Sequence, residues 1–379
     1  MKKSKRLRIY AFLITLGFVG LFFIFIVNRD SNLWQDRFNE DEVEEVVESA
    51  EQPRTINVWV PYWDYTSAME ELVTYADYID SLCYFSAYFD EEGHLLLENA
   101  TTLVHDEMKQ NVRLKDKRTY LTIVNDQLNS EGELVSKDTE LLGQLLADRQ
   151  TMEAHADEIV QMALDYGYDG VELDYEELRQ DQELWTGFVE LTQILWDKCQ
   201  DSGLDMHVVL MPGFPVDYDW PEGPQYVVMC YNLHGKGTEA GPRADREFIE
   251  EMIAKMEQMP GPVGFGLATG GYDFCEDGNV EGVTRNTAEK RLHIHKNLEA
   301  ERDEASQQLY FTYWDADKAQ HTLWYADEQT LEYWSDIIRD AGFDNITIFR
   351  AGGNELDHTS PYNSGDEETD DDQSGDVSD

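Results

Sequence analysis

Short apolar runs alternating with helical stripes along most of the chain predict an α/β fold, a (β/α)8 TIM barrel. Two further features refine that class. An aromatic segment near the C-terminal end breaks the alternation and predicts an inserted β-hairpin. An apolar run near the N-terminus predicts one transmembrane helix ahead of the barrel.

The candidate strands are, in order, Ile56–Val60, Ser81–Phe89, Tyr120–Val124, Gly170–Tyr175, His207–Met211, Tyr226–Tyr231, Val263–Leu267 and Ile346–Phe349. Leu184, Phe188, Leu191 and Leu195 repeat at helical spacing, the stripe of a helix lying on a sheet. Phe248, Met252, Ile253 and Met256 form a second stripe, and Leu331, Trp334, Ile338 and Ala341 a third. An open doubly wound sheet is the main competitor, and no GxGxxG or P-loop supports it. The stretch Tyr310–Asp327 (YFTYWDADKAQHTLWYAD) is too aromatic for a free loop. It reads as two strands around a turn, packed on or beside the barrel mouth.

Residues 1–9 form a basic flank, and Tyr10–Val27 is an uncharged apolar run at the lower end of membrane-spanning length. The run ends in NRDSNLWQD, without a small-x-small cleavage site, which favours an uncleaved signal anchor over a cleaved signal peptide. In either case the basic flank places the rest of the chain outside the membrane. Residues 28–53 read as an acidic linker, 54–357 as the barrel and 358–379 as an acidic solvated tail. The net charge of −49 argues against nucleic acid, since phosphate binding needs clustered Lys and Arg.

No metal or cofactor is expected. Cys83, Cys199, Cys230 and Cys275 show no CxxC spacing and read as buried thiols with one bridge at most. His293 and His295 sit at i and i+2 in a helical stretch, where they do not face each other, and read as surface residues.

The segment DGVELDYEEL, residues 169–178, carries the chemistry. Strand alternation puts Val171, Leu173 and Tyr175 on one face and Glu172, Asp174 and Glu176 on the other. On a half-exposed antiparallel sheet those acids would simply be solvated. A parallel barrel has no wet face, so the acidic row must point inward and rise toward the C-terminal mouth, where barrel active sites lie. Carboxylates stacked in a low-dielectric interior cannot all ionise freely. Proton sharing and at least one raised pKa are expected, which lets a Glu remain an acid near neutral pH. A purely structural acid cluster is the alternative, but burying such a row without a task is costly.

Asp169-Gly170-Val171-Glu172-Leu173-Asp174-Tyr175-Glu176 resembles the DGxDxDxE motif of glycoside hydrolase family 18, which includes chitinases and bacterial N-acetylglucosaminidases. Met229-Cys230-Tyr231-Asn232, followed by Leu233-His234-Gly235, resembles that family's M-x-Y-[DN] element. Pro61-Tyr62-Trp63, Phe85 and His321–Asp327 also fall where the family has similar residues, and HTLWYAD resembles its spore-cortex and cell-wall branch. The resemblance spans Arg54 to Glu355.

That resemblance implies substrate-assisted retention. Glu176 would protonate the glycosidic oxygen, and the substrate's own 2-acetamido group would be the nucleophile. Asp174 would orient that group, Tyr231 would hydrogen-bond its oxygen, and Glu172 would share a proton with Asp174 from below. Tyr62, Phe85, Met229, Asn232 and Phe349 would lie along the substrate. Tyr272 joins them as a ring just past a strand end, and for Met229 barrel filling is the competing and stronger role. For each aromatic taken alone, Trp63, Trp314 and Trp324 included, core packing is the competing and stronger role.

Two positions depart from the family pattern. Glu172 stands where Asp is usual, and Phe349 stands where a Trp floors the reacting sugar. The smaller ring points away from a plain chitin chain. The implied function is a membrane-anchored extracellular glycosidase acting on β-linked N-acetylglucosamine polymers, peptidoglycan ahead of chitin, without a cofactor. The alternative is a carbohydrate-binding protein that kept the barrel and lost catalysis.

Overall fold

The computed structural model describes residues 55–178, 181–295 and 298–354. The expected membrane anchor, the acidic linker and the acidic tail lie outside the described residues. Among the described residues, no helix is long and apolar enough to cross a membrane.

The chain begins with β1 (Thr55–Pro61), β2 (Ser81–Phe89), β3 (Leu95–Leu97), β4 (Arg118–Leu128), β5 (Leu134–Val135) and β6 (Gly170–Asp174). It continues with β7 (Asp205–Leu210), β8 (Gln225–Met229), β9 (Val263–Ala268), β10 (Gly270–Cys275) and β11 (Val280–Val283). The last strands are β12 (Glu301–Arg302), β13 (Leu309–Trp314), β14 (Gln320–Ala326) and β15 (Asn345–Phe349). The helices are α1 (Tyr65–Thr74), α2 (Asn99–Gln110), α3 (Thr139–Leu145), α4 (Arg149–Tyr166), α5 (Gln182–Ser202), α6 (Arg246–Met256), α7 (Arg285–Ile294) and α8 (Glu328–Asp340).

Strands β1, β2, β4, β6, β7, β8, β9 and β15 pair in parallel around a ring, and β15 closes onto β1. Every expected barrel strand is present; Ser81–Phe89 keeps its expected bounds and the others shift at one end or both. The helical stripes hold except at Ala341, which lies exposed past the end of α8, and α5 shows why. Phe188, Leu191 and Leu195 are buried on its inner side, the Asp181 side chain accepts the N–H groups of Glu183 and Leu184, and Gly203 ends it at φ 73°.

The alternation along β6 sorts two cores. Val171, Leu173 and Tyr175 join the large apolar core that includes residues of the surrounding helices. The barrel interior holds a second cluster of Trp59, Cys83, Tyr120, Val209, Val227, Met229, Tyr231 and Ala268. The expected hairpin exists, with β13 and β14 paired antiparallel, but it belongs to something larger. It is part of a five-stranded antiparallel sheet ordered β11-β10-β14-β13-β12, inserted between β9 and α8. The sheet shares an apolar cluster with α7 through Val283, Phe311, Leu323, Tyr325 and Ala288. Strands β10 and β11 (GGYDFC and VEGV) lack the long apolar runs that mark the barrel strands. Gly271 is required there, because a Cβ would meet the Trp324 carbonyl oxygen at 1.8 Å.

The possible disulfide does not form: all four cysteines are free thiols. Cys83 faces the barrel interior while Cys199 and Cys230 lie in the outer core. Of the two histidines expected on a helix, His293 is exposed on α7, whereas His295 lies just past its end, half-buried with its ring 4.8 Å from that of Tyr313.

Candidate active site

The acidic strand is shorter than expected. Ladder pairing of β6 ends at Asp174, so Tyr175 and Glu176 lie beyond the strand. The reason is a side chain from the neighbouring strand. Asn125 accepts the Glu176 N–H at 2.9 Å and donates to the Glu176 carbonyl at 3.2 Å, taking the place of a strand partner. Glu177 then turns into the left-handed region at φ 63°. Strand β8 likewise ends at Met229, two residues before Tyr231, which nevertheless stays buried.

Glu172 is fully buried and held on all sides. Its Oε1 accepts from Trp59 Nε1 at 2.6 Å and from Thr122 Oγ1 at 2.8 Å. Its Oε2 faces His207 Nδ1 at 3.4 Å, and the Cys83 thiol also hydrogen-bonds this carboxyl. Strand register explains the gathering, since Thr122 and His207 flank Glu172 on the two neighbouring strands. Burial, reinforced by Glu172, pushes the Cys83 thiol well up, so it remains protonated. Among the described residues, the donor atoms of Cys83, Glu172 and His207 are the set close enough to hold an ion, all within 4.8 Å. Both Glu172 oxygens are already engaged and the thiol keeps its proton, so the set fits a hydrogen-bonded support rather than a metal centre.

Asp174 sits above this support, only 4 % exposed, and its Oδ1 has no hydrogen-bond partner. Burial, then the Glu176 and Glu172 charges, push its carboxyl well above the ordinary range. A buried acceptor left open in this way is costly unless a ligand completes it. Glu176 is pushed up by burial and pulled back by Lys137, whose Nζ lies 2.5 Å from Oε2, with a net rise. Asp126 and Glu177 add to that rise.

Tyr231 lies across the interior. Burial, with Asp174 and Glu176 behind it, pushes its phenol well up, leaving a neutral O–H donor. Its ring stacks on Phe349 at 5.4 Å and 18°, and Trp59 meets both rings edge-on at 6.3 and 6.1 Å. The Arg243 guanidinium carbon lies 4.9 Å from the centres of both the Tyr231 and the Tyr272 ring, and Arg243 Nε donates to the Tyr231 carbonyl at 3.3 Å.

The other expected site residues divide. Tyr62 follows β1 in a short 3-10 turn, edge-on to Trp63 at 5.1 Å, and Trp63 in turn meets Phe85 at 6.2 Å. Asn232 turns its amide toward the sulfurs of Met229 at 3.3 Å and Met211 at 3.7 Å. Met229 is buried in the interior cluster as packing. Trp324 stacks on Tyr310 in the inserted sheet at 4.5 Å, and Trp314 is 58 % exposed.

Trp59, Asn125, Lys137, His207 and Arg243 were not anticipated. For Trp59 and His207 the signal was present, because alternation puts both on the inward faces of their strands, opposite Val58 and Val208. Asn125, Lys137 and Arg243 reach the site from outside the recognisable motifs.

The fold is a closed parallel barrel with a carboxylate row rising through the mouth end of one strand, and the family match makes it a glycoside hydrolase. The chain belongs to the glycosyl hydrolases family 18, which residues 58–354 match. It is 20 % identical over 307 residues to the uncharacterized glycosylase YvbX of Bacillus subtilis, covering 76 % of this chain and 85 % of that one. It is 23 % identical over 300 residues to a cortical fragment-lytic enzyme of the same organism, covering 73 % of this chain and 65 % of the enzyme. The crystal structure of the Bacillus cereus spore cortex-lytic enzyme SleL matches with a TM-score of 0.65 at 16 % identity, over 80 % of this chain and 72 % of that one. A chitinase from Chromobacterium violaceum matches with a TM-score of 0.67 at 16 % identity, over 80 % of this chain and 96 % of that one. At such identities the structural likeness is one of fold.

Proposed function

We propose that this hydrolase cuts β-linked N-acetylglucosamine-containing glycans, peptidoglycan ahead of chitin, by substrate-assisted retention. The observation that carries the reading is the open Oδ1 of buried Asp174, with Glu176 and the neutral Tyr231 phenol near enough to act on one another electrostatically.

A 2-acetamido group completes that arrangement. Its N–H fills the open acceptor on Asp174, and its carbonyl oxygen accepts from Tyr231. Glu176, in its protonated form, gives its proton to the glycosidic oxygen as the bond from C1 to that oxygen breaks. The acetamide oxygen bonds to C1, forming an oxazolinium ion whose positive charge the Asp174 carboxylate offsets. Glu176, now ionised, takes a proton from the water that attacks C1, and the configuration is retained. Glu172, tied to Trp59, Thr122 and His207, fixes the base of the stack without touching sugar.

Phe349 and Tyr231 offer a stacked floor beneath the reacting sugar, and Tyr62, Phe85 and Tyr272 offer further ring faces. Asn232 shapes the wall between them, backed by the buried Met229. The small Phe349 ring and the kinship with cortex-lytic enzymes favour peptidoglycan over chitin. The N-terminal apolar run supports an anchored enzyme facing the wall from outside the membrane. The test is incubation of the full-length protein with purified peptidoglycan and with N-acetylglucosamine oligomers, reading new reducing ends and their anomeric configuration. Inverted products would exclude a nucleophile supplied by the substrate.

A further inference from the structure

On the reading of Glu176 as the proton donor, the structure poses a difficulty. An acid held against an ammonium group is held ionised, and Lys137 Nζ lies 2.5 Å from Glu176 Oε2. The pair is built into the fold. Lys137 lies between β5 and α3 in the left-handed region at φ 57°, an uncommon place for a lysine. Its N–H donates to Asp126 Oδ1 at 2.8 Å. The next residue, Asp138, caps α3 and donates its own N–H to the Asn125 carbonyl at 2.7 Å. Asn125 also grips both backbone groups of Glu176, so one residue fixes both halves of the pair.

The two halves are unequal toward solvent. The Lys137 side chain keeps 41 % of its surface exposed and that of Glu176 only 14 %. A pocket of about 410 Å³ opens beside them, lined by Ser136, Lys137, Thr139 and Glu177. That lining sets the Lys137 ammonium and two hydroxyls, that of Ser136 already bonded to Asp126, beside the Glu177 carboxylate, so Lys137 is the group in it that can draw an anionic oxygen.

The groups facing Glu176 are Asp174 and Glu177 from its own segment, Asp126 from β4, Tyr231 from the turn after β8, and Lys137. Among these, Lys137 alone favours the ionised form. Whatever draws Lys137 away therefore lets burial and the neighbouring acids load a proton onto Glu176. A hydroxyl cannot compete with a carboxylate for an ammonium group, but a second carboxylate can.

We propose that Lys137 recognises a carboxylate carried by the glycan, and that its transfer from Glu176 to that carboxylate frees Glu176 to take up the proton it donates. The substrate class is then an amino-sugar polymer bearing acid substituents, either a lactyl ether carboxylate or the carboxylate of an attached peptide. A neutral N-acetylglucosamine chain leaves the pair closed and is cut slowly.

The experiment reads the pair without turnover. The full-length protein is labelled with 13C at the glutamate carboxyls, the Glu176 signal is assigned with E176Q, and its titration is followed with each of three sugars. N-acetylmuramic acid presents the lactyl carboxylate, muramyl dipeptide presents peptide carboxylates, and N-acetylglucosamine is the neutral control. An upward shift of the Glu176 midpoint with either acidic sugar, and none with the neutral one, is the expected result. The sugar that produces it identifies the carboxylate that is read. K137M should raise the midpoint without any sugar and abolish the response, and K137R should restore it. In turnover, K137M should lose about tenfold in kcat/KM on peptidoglycan relative to neutral oligomers, the scale of one charge-assisted contact. Acidic sugars that leave Glu176 unmoved, or that move it equally in K137M, overturn the proposal. A wild-type protein without hydrolytic activity counts instead against the function proposed above, and the titration still decides the role of Lys137.

Discussion

Trp59 donates its indole N–H to Glu172 Oε1 at 2.6 Å, tying β1 to β6 across the barrel interior. These strands are not neighbours in the ring, so the bond spans the space the side chains fill. Trp59→Phe keeps the aromatic body and removes the donor. Leaving a fully buried carboxyl one partner short should cost about 1–3 kcal/mol in unfolding free energy. Denaturant unfolding measures it, and an unchanged midpoint would show that Thr122 and His207 suffice.

Asp174→Asn should act on activity and stability in opposite directions. Burial, with Glu176 and Glu172, raises the Asp174 pKa, so the folded state binds a proton that the unfolded chain has already lost. That contribution is present below the unfolded pKa and lost as pH rises through the folded one. The Asn variant escapes the loss and should melt higher than wild type at neutral pH, with the advantage vanishing near pH 4. Its kcat should fall by about 10²–10³, the scale of one lost electrostatic contact in the transition state. Melting curves across pH test this, and a variant less stable than wild type at neutral pH contradicts it.

Two histidines away from the site give the opposite slope. Burial pushes His105 and His155 down to about 4. His105 stacks on Tyr168 at 4.1 Å, and His155 Nε2 lies 2.6 Å from the Tyr175 hydroxyl. Between pH 6.5 and 4 the unfolded chain takes up protons that the folded rings refuse, so stability falls as pH drops through that window. Each ring should contribute on the order of 2–3 kcal/mol of that fall. His105→Phe, which keeps the stack, should flatten the acid limb of the melting profile, and an unaltered limb would place the loss elsewhere.

Phe349 is the place to test whether the ring proposed to floor the sugar selects the substrate. Removing its ring in Phe349→Ala takes away the stack on Tyr231 and should lower kcat/KM at least about tenfold. Phe349→Trp enlarges the floor and should move the kcat/KM ratio toward chitin oligomers and away from peptidoglycan. Overpacking against Trp59 should cost about 1–3 kcal/mol of stability. An unchanged ratio would separate Phe349 from substrate choice.

The acidic row was legible because strand period and barrel topology together dictate which side chains point inward. The same rule covered Trp59, Cys83 and His207, whose strands carry outward apolar residues on either side: Val58 and Val60, Leu82 and Tyr84, Met206 and Val208. It could not reach Asn125 or Lys137, which meet Glu176 across 51 and 39 residues of chain. Those contacts depend on how β4 lies beside β6 and on the left-handed turn at Lys137, neither of which leaves a local pattern. The inserted sheet was half legible for a related reason. The aromatic β13–β14 pair announces itself, whereas β10 becomes a strand by pairing with β14 at long range and carries β11 with it as a short local hairpin.

The most direct test compares the full-length wild-type protein with Glu176→Gln, measuring release of reducing ends from purified peptidoglycan and from N-acetylglucosamine oligomers. Hydrolysis by the wild type and a fall in kcat of about 10³-fold in the variant, with binding retained, is the expected result. Equal turnover by the two proteins, or none by the wild type on either substrate, would contradict the assignment of Glu176 as the acid.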